Sequence, residues 1–317
     1  MERLLEAAVE RGASVIHIKA GDVFRARIDG RMVKLSSQVF APEEVRQIAL
    51  KLISVERDRA RIDSLRDYDT SWDLAGVGRF RVNILRQRGV FMIIMRVIPL
   101  AVPTLDELNL PPVLGEIAEF PRGIVLITGA VGTGKSNTLA AMIAWINGRL
   151  QKHIVTLEDP IEFLHTDDVS TVTQREIGVD TASFREGLRA ALRQDADVIL
   201  IGEMRDRETV ATAIRAAELG LLVISTMHSA TAVGAIGQLL GAFEEDEADL
   251  ARSRVADTLK AVIAQRLLPR SGAETLIPAI EVLRVTGAVR DCILNARPPE
   301  EITELMEQGA EAYGMRT

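Results

Sequence analysis

Apolar positions change their spacing about a third of the way along the chain. Up to residue 98 they recur mainly at every second place in short runs. Val15 to Lys19, Val23 to Ile28, Met32 to Leu35, Tyr68 to Leu74, Arg79 to Leu85 and Val90 to Ile98 read as strands, and Asp29-Gly30 marks a tight turn between two of them. Leu4, Leu5, Ala8 and Val9 have helical spacing that stops at Gly12, Pro42 opens a helix to about Ile53, and another is expected through Leu65. Residues 1–98 are therefore expected to form a small α+β domain. Residues 99–112 have no clear period and hold four of the eleven prolines, Pro99, Pro103, Pro111 and Pro112, which predicts an inter-domain linker. From 113 to 317 apolar strand runs at 124–128, 153–158, 197–202, 222–227 and 277–283 alternate with helical patterns. That alternation predicts an α/β domain with a mostly parallel sheet.

Composition narrows the classes further. The 47% hydrophobic and 26% charged residues describe an ordinary globular chain, long enough at 317 residues for two cores. A formal net charge of −7 argues against a general polyanion binder, so no nucleic-acid partner is expected. One cysteine, Cys292, excludes an internal disulfide and any multi-cysteine zinc module. No apolar run approaches the roughly 18–20 residues of a membrane span, and Met1-Glu2-Arg3 does not open a secretory signal. A cytoplasmic location is expected, with attachment to a membrane through a partner left open.

The strongest local signal is Gly129-Ala130-Val131-Gly132-Thr133-Gly134-Lys135-Ser136, which fits the phosphate-cradling pattern G-x-x-x-x-G-K-[ST]. A buried strand, Ile124 to Thr128, precedes it, and a helix, Thr138 to Asn147, is expected to follow. Glycines allow backbone N–H groups to turn toward phosphate oxygens, and the helix start adds its positive dipole. Gly129, Gly132, Thr133, Gly134, Lys135, Ser136 and Asn137 are thus the candidate nucleotide-binding residues, with Lys135 for the β/γ-phosphates and Ser136 for Mg²⁺. ATP and Mg²⁺ are the expected cofactors.

Hydrolysis also needs an acid near the attacking water and a cation near the developing charge. Two carboxylate clusters follow expected strands: Glu158-Asp159-Pro160-Ile161-Glu162, and Gly202-Glu203. Strand ends are where ligands bind in open α/β sheets, so carboxylates from both are candidates for metal and water; capping of the following helices is the competing reading. Glu158 and Asp159 join Ser136 as candidate metal ligands. A fourth strand brings His228 to the same edge, where it could hydrogen-bond the γ-phosphate or a catalytic carboxylate and report nucleotide state; a purely structural histidine is the competing reading. In Arg79-Phe80-Arg81-Val82-Asn83, alternation puts Arg79, Arg81 and Asn83 on one strand face, and Arg96 ends a later strand. Solvated strand residues and arginine fingers acting in trans are both open for these cations.

These residues together resemble the secretion and type IV pilus motor ATPases, and within them the PilT-like retraction ATPases. Four family boxes occur in order: the Walker A loop at 129–136, the aspartate box Thr156-Leu157-Glu158-Asp159-Pro160-Ile161-Glu162, the Walker B box Leu200-Ile201-Gly202-Glu203-Met204-Arg205-Asp206, and the histidine box Ser225-Thr226-Met227-His228. Gln174-Arg175-Glu176, Gly78 to Asn83 and Ile263-Ala264-Gln265-Arg266-Leu267 also look like family segments. The resemblance implies a PAS-like N-terminal domain followed by a RecA-like P-loop ATPase domain with C-terminal helices, assembled as a homo-hexamer at the cytoplasmic face of the inner membrane. It implies that Glu203 is the Walker B glutamate, Glu162 the catalytic glutamate, His228 a sensor, and Arg81 and Arg96 arginines reaching a neighbour's nucleotide. The implied partners are an inner-membrane pilus platform protein and a paralogous retraction ATPase, and the implied work is pilus retraction and twitching motility.

The chain departs from the family pattern at Ala130, Val131, Thr133 and Asn137 in the loop, and at Val15, where Asp is usual. Gly287 to Cys292 only loosely resembles the segment linked to retraction, and retraction ATPases continue into further helices beyond the place of Thr317. Three other functions compete. A pilus-extension or type II secretion assembly ATPase usually carries a four-cysteine metal module, which a single cysteine disfavours. An accessory ATP-binding subunit of the retraction motor is compatible with the altered loop. A nucleic-acid translocase is disfavoured by the acidic balance.

Overall fold

A computed structural model describes residues 1–98, 101–270 and 276–317. Its chain divides into two compact units, Met1–Ala101 with Pro160–Leu164, and Val102–Asp159 with His165–Thr317.

The first unit contains α1 (Glu2–Glu10), β1 (Ala13–Lys19), β2 (Val23–Ile28), β3 (Arg31–Val39), α2 (Pro42–Leu52), α3 (Glu56–Arg59), β4 (Asp67–Leu74), β5 (Gly78–Gln87) and β6 (Val90–Ile98). Its strands form one antiparallel sheet in the order β3-β2-β1-β6-β5-β4. Alternation sends Ile16, Ile18, Phe24, Phe80, Val82, Ile93 and Met95 into a core shared with Leu5 and Ala8 of α1 and Val45, Ala49 and Leu52 of α2. The helix expected through Leu65 is shorter than the sequence suggested. Only four residues of α3 and a 3₁₀ turn at Ile62–Ser64 form. Ile62 is the one buried side chain there, too few apolar contacts to hold a longer amphipathic helix.

The second unit contains α4 (Val113–Ala118), β7 (Gly123–Thr128), α5 (Lys135–Asn147), β8 (His153–Glu158), β9 (Thr171–Glu176), α6 (Phe184–Ala191), β10 (Val198–Ile201), α7 (Arg207–Glu218), β11 (Leu222–Met227), α8 (Ala232–Leu240), α9 (Ala248–Thr258), β12 (Leu259–Pro269), β13 (Leu276–Arg284), α10 (Gly287–Leu294), α11 (Pro299–Gln308) and α12 (Ala310–Tyr313). Its sheet runs β13-β12-β7-β11-β10-β8-β9, parallel except for the antiparallel edge strand β13. Successive residues of the central strands enter two cores. Leu126, Ile199, Ile201 and Val223 pack with α6 to α11, while Val125, Ile127, Leu200 and Ile224 pack with α4 and α5. Both faces are therefore covered, which is why these strands read as unbroken apolar runs.

Part of the proline-rich stretch is packed: Leu105 and Leu110 are buried in the core beside α4 and α5. Pro99 and Leu100 lie outside the described residues. Two strands had no counterpart in the sequence reading. β9 is a polar edge strand, and β12 follows α9 at Thr258–Leu259 with no glycine or proline between them. No helix is long and apolar enough to cross a membrane among the described residues.

Candidate nucleotide site

β7 is buried along its whole length and delivers Gly129 to the carboxyl edge of the sheet. There the chain turns through three glycines at positive φ, Gly129 (149°), Gly132 (82°) and Gly134 (86°), before α5 starts at Lys135. Gly129 has no room for a side chain. A Cβ there would lie 2.3 Å from the backbone oxygen of Gln265 and 2.7 Å from the Thr133 hydroxyl. At Gly132 a Cβ would meet nothing within 4 Å, so the loop is open at that position. Lys135 Nζ donates to the carbonyls of Gly129 and Ala130, both at 2.9 Å, and the Thr133 hydroxyl donates to Ala130 O at 2.9 Å. Burial lowers the pKa of Lys135, and the charge of Glu203 opposes that shift. Ser136 is half-buried in the first turn of α5, whereas Asn137 is exposed. An open glycine cradle with a cation and a helix start is the donor set a polyphosphate requires.

β10 ends at Ile201 and leads to Glu203, whose side chain is only 17% exposed. Neighbouring strand ends stitch this segment in place. Gly202 N donates to Leu157 O at 2.8 Å, Met204 N donates to Thr226 O at 3.1 Å, and the Thr226 hydroxyl donates to Gly202 O at 2.6 Å. The Glu203 carboxylate accepts from Arg205 at 2.6 Å and lies 2.9 Å from His228 Nε2. Burial alone would raise its pKa, but the Arg205 hydrogen bond and the charges of His228, Arg205 and Lys135 outweigh burial and hold it low. Glu203 is consequently an ionised carboxylate, held by cations at the mouth of the loop.

Within the second unit the structure thus gathers the 129–137 loop, Glu203 and His228. Asp159 is exposed, and its charge acts on Arg205. The Glu158 carboxylate accepts from Thr156 at 2.6 Å and Gln174 at 3.1 Å. Asp206 caps α7, accepting from the N–H of Thr209 at 2.9 Å and its hydroxyl at 2.7 Å. No group of three or more His, Cys, Asp or Glu side chains forms a ready metal cage among the described residues.

Glu162, Arg81 and Arg96 are not in this group. Glu162 is half-buried in Pro160–Leu164, which belongs to the first unit. In the first sheet Arg81 and Arg96 are direct cross-strand partners on β5 and β6. Two like charges in register disfavour the sheet, and neither forms an ion pair among the described residues. Arg79 differs: it is buried, pairs with Asp73 at 2.6 Å and donates to the Ser71 hydroxyl at 2.6 Å.

Several contacts at the site carry no motif. Thr128, just before the loop, donates to Ser229 O at 2.9 Å and accepts from Ser229 N at 2.6 Å, so its hydroxyl holds the residue after His228. Arg205 falls in the Walker B box and Gln265 in the family-like segment Ile263 to Leu267, but neither has a role assigned from the sequence. Beyond that segment, the signal for Gln265 is an amide that directly follows the apolar run Ala261 to Ala264.

This fold and loop define a P-loop ATPase architecture, and the type II/IV secretion system protein family model matches residues 1–292. The chain belongs to that family. Within it the chain is homologous to pilus retraction ATPases. It is 37% identical over 316 residues to the type IV pilus retractation ATPase PilT of Pseudomonas aeruginosa, covering 99% of this chain and 90% of that one. The type IV pilus ATPase PilU of the same organism is 37% identical over 318 residues, covering 100% of this chain and 82% of that one. A crystal structure of the pilus retraction motor PilT with bound ADP superposes with a TM-score of 0.91 at 38% identity, covering 97% of this chain and 89% of that one. The second unit accordingly has the RecA-like ATPase fold, preceded by the N-terminal α+β unit.

Proposed function

We propose that this chain is a Mg²⁺-dependent ATPase that works as a homo-hexameric ring and drives type IV pilus retraction. The observation that carries the reading is the juxtaposition of an open glycine cradle with an ionised Glu203 held beside Lys135 and His228. Homology to retraction ATPases supplies the biological task. Backbone N–H groups of Gly132 to Ser136 bind the phosphates, and Lys135 leaves its loop carbonyls to neutralise the γ-phosphate. Ser136, with Glu158 and Asp159, would hold Mg²⁺, which would supply neutralisation of phosphate charge. Glu162 takes the proton of the attacking water as its oxygen bonds to the γ-phosphorus and the bond to the β–γ bridging oxygen breaks, giving ADP and phosphate. Glu203 orients that water through His228, which registers loss of the γ-phosphate. Arg81 and Arg96, like charges paired across β5 and β6, stabilise transition-state charge on a neighbouring copy's nucleotide. Force passes to an inner-membrane platform protein at the cytoplasmic face, with a paralogous retraction ATPase as an assisting subunit.

Purified protein should hydrolyse ATP with added Mg²⁺, and its deletion in the source cell should leave excess immobile surface pili. Bald cells would reassign it to pilus extension. A second reading, an accessory subunit that binds ATP for a partner motor, is favoured by Val131, an apolar side chain 86% exposed at the loop tip. Absence of turnover by the protein alone, with binding retained, would select it.

A further inference from the structure

Gln265 is buried to 3% exposure near the end of β12, far in sequence from the loop at 129–136. A buried amide has to find partners for both its ends. Both partners of Gln265 belong to the nucleotide loop and the helix that opens from it. Its Nε2 donates to Thr133 O at 2.8 Å, and its Oε1 accepts from the Thr138 hydroxyl at 2.7 Å. The two bonds fix which way the amide points, because Thr138 supplies a hydroxyl proton and Thr133 supplies a carbonyl. Thr138 also sits beneath the loop, with its N–H on Gly134 O at 3.1 Å.

The backbones approach as closely as the side chain does. β12 lies parallel to β7 with Ala264 opposite Thr128, which puts residue 265 alongside Gly129. A Cβ on Gly129 would lie 2.3 Å from Gln265 O, and one on Gly134 would lie 2.9 Å from Gln265 Nε2. Both ends of the loop therefore rest against this one residue. The next residue, Arg266, donates to Ala230 O at 3.1 Å, two places beyond His228.

We infer that Gln265 is a positioning residue for nucleotide binding, holding the loop so that its N–H groups converge before phosphate arrives. The inference rests on the nucleotide-site reading above. Holding the Thr133 carbonyl on β12 turns the N–H of the same peptide plane, that of Gly134, away from β12, and a pre-formed cradle avoids an ordering cost on binding. Both polar ends of Gln265 are taken up by Thr133 and Thr138, so it acts through the loop and its effect falls on affinity and not on the chemical step.

The test is titration of full-length protein with a fluorescent ADP analogue and Mg²⁺, alongside steady-state kinetics, for Gln265→Glu, Thr138→Val and Lys135→Ala. Gln265→Glu keeps the acceptor for Thr138 but sets an oxygen against Thr133 O. It should weaken ADP binding about tenfold or more, the order expected for an unsatisfied buried pair. Thr138→Val keeps the packing and frees the amide to rotate, and should weaken binding a few-fold. In both, KM for ATP should rise while kcat at saturation stays near the wild-type value, and melting without nucleotide should not fall in proportion. The inference is overturned if both variants bind ADP within twofold of wild type while Lys135→Ala loses binding. A fall in kcat with KM unchanged would also overturn it. If Lys135→Ala itself binds normally, the nucleotide-site reading fails and this inference with it.

Discussion

Glu203 shows how a single carboxylate is prepared by its surroundings. Desolvation alone would favour its protonated form, and Arg205, His228 and Lys135 reverse that preference. Replacing it with Gln keeps the shape and removes the charge. Turnover should fall about 10²-fold or more, while ADP affinity measured by titration stays within a few-fold of wild type. Unchanged turnover would remove Glu203 from the mechanism. His165 makes a separate residue-scale prediction. Burial lowers its pKa to about 4 from 6.5. The folded protein therefore resists a proton that the unfolded chain accepts. Its contribution to stability is fully present above pH 6.5 and is lost as pH falls from 6.5 toward 4. Thermal melts between pH 7.5 and 4.5 should show a smaller acid loss for His165→Gln than for wild type; equal losses would show that the histidine is not the titrating group.

At the scale of elements, the loop between β7 and α5 depends on glycine more than on its variable residues. Gly129→Ala would force a Cβ into the Gln265 backbone at a φ of 149°. The expected cost is about 3 kcal/mol, seen as a melting point lower by roughly 6–12 °C. A melting point within 2 °C of wild type, roughly half a kcal/mol, would mean that the loop relaxes freely. Central strands were legible because both their faces are buried, which leaves continuous apolar runs such as Ile124 to Ile127. The face of β5 carrying Arg79, Arg81 and Asn83 was legible from alternation. What alternation could not show is that Arg79 is held by Asp73 on β4, which leaves Arg81 facing Arg96. β12 is not legible as a strand because α9 runs straight into it, and Gln265, although inside a family-like segment, has no role legible there because its contacts span more than a hundred residues. Short-range pattern carries no record of such contacts.

At the scale of the whole molecule, the candidate residues fall into two sets on separate units. Cradle, Glu203 and His228 lie on one, and Arg81, Arg96 and Glu162 on the other. If arginines act on a neighbouring copy, Arg81→Ala and Lys135→Ala should each be nearly inactive alone. An equimolar mixture of the two should regain part of the ATPase rate, because mixed rings contain interfaces with both halves intact. No recovery after subunit exchange would argue that each copy completes its own site. The protein also provides its own means of watching such units separately, since it has two tryptophans, one on each. Trp145 lies on α5 with the Arg149 guanidinium 3.4 Å from its ring centroid and its indole N–H on Glu119, while Trp72 packs against Phe80. Trp72→Phe would leave an emitter on the very helix that the phosphate loop opens, turning nucleotide occupancy into a change of colour or brightness without any attached dye.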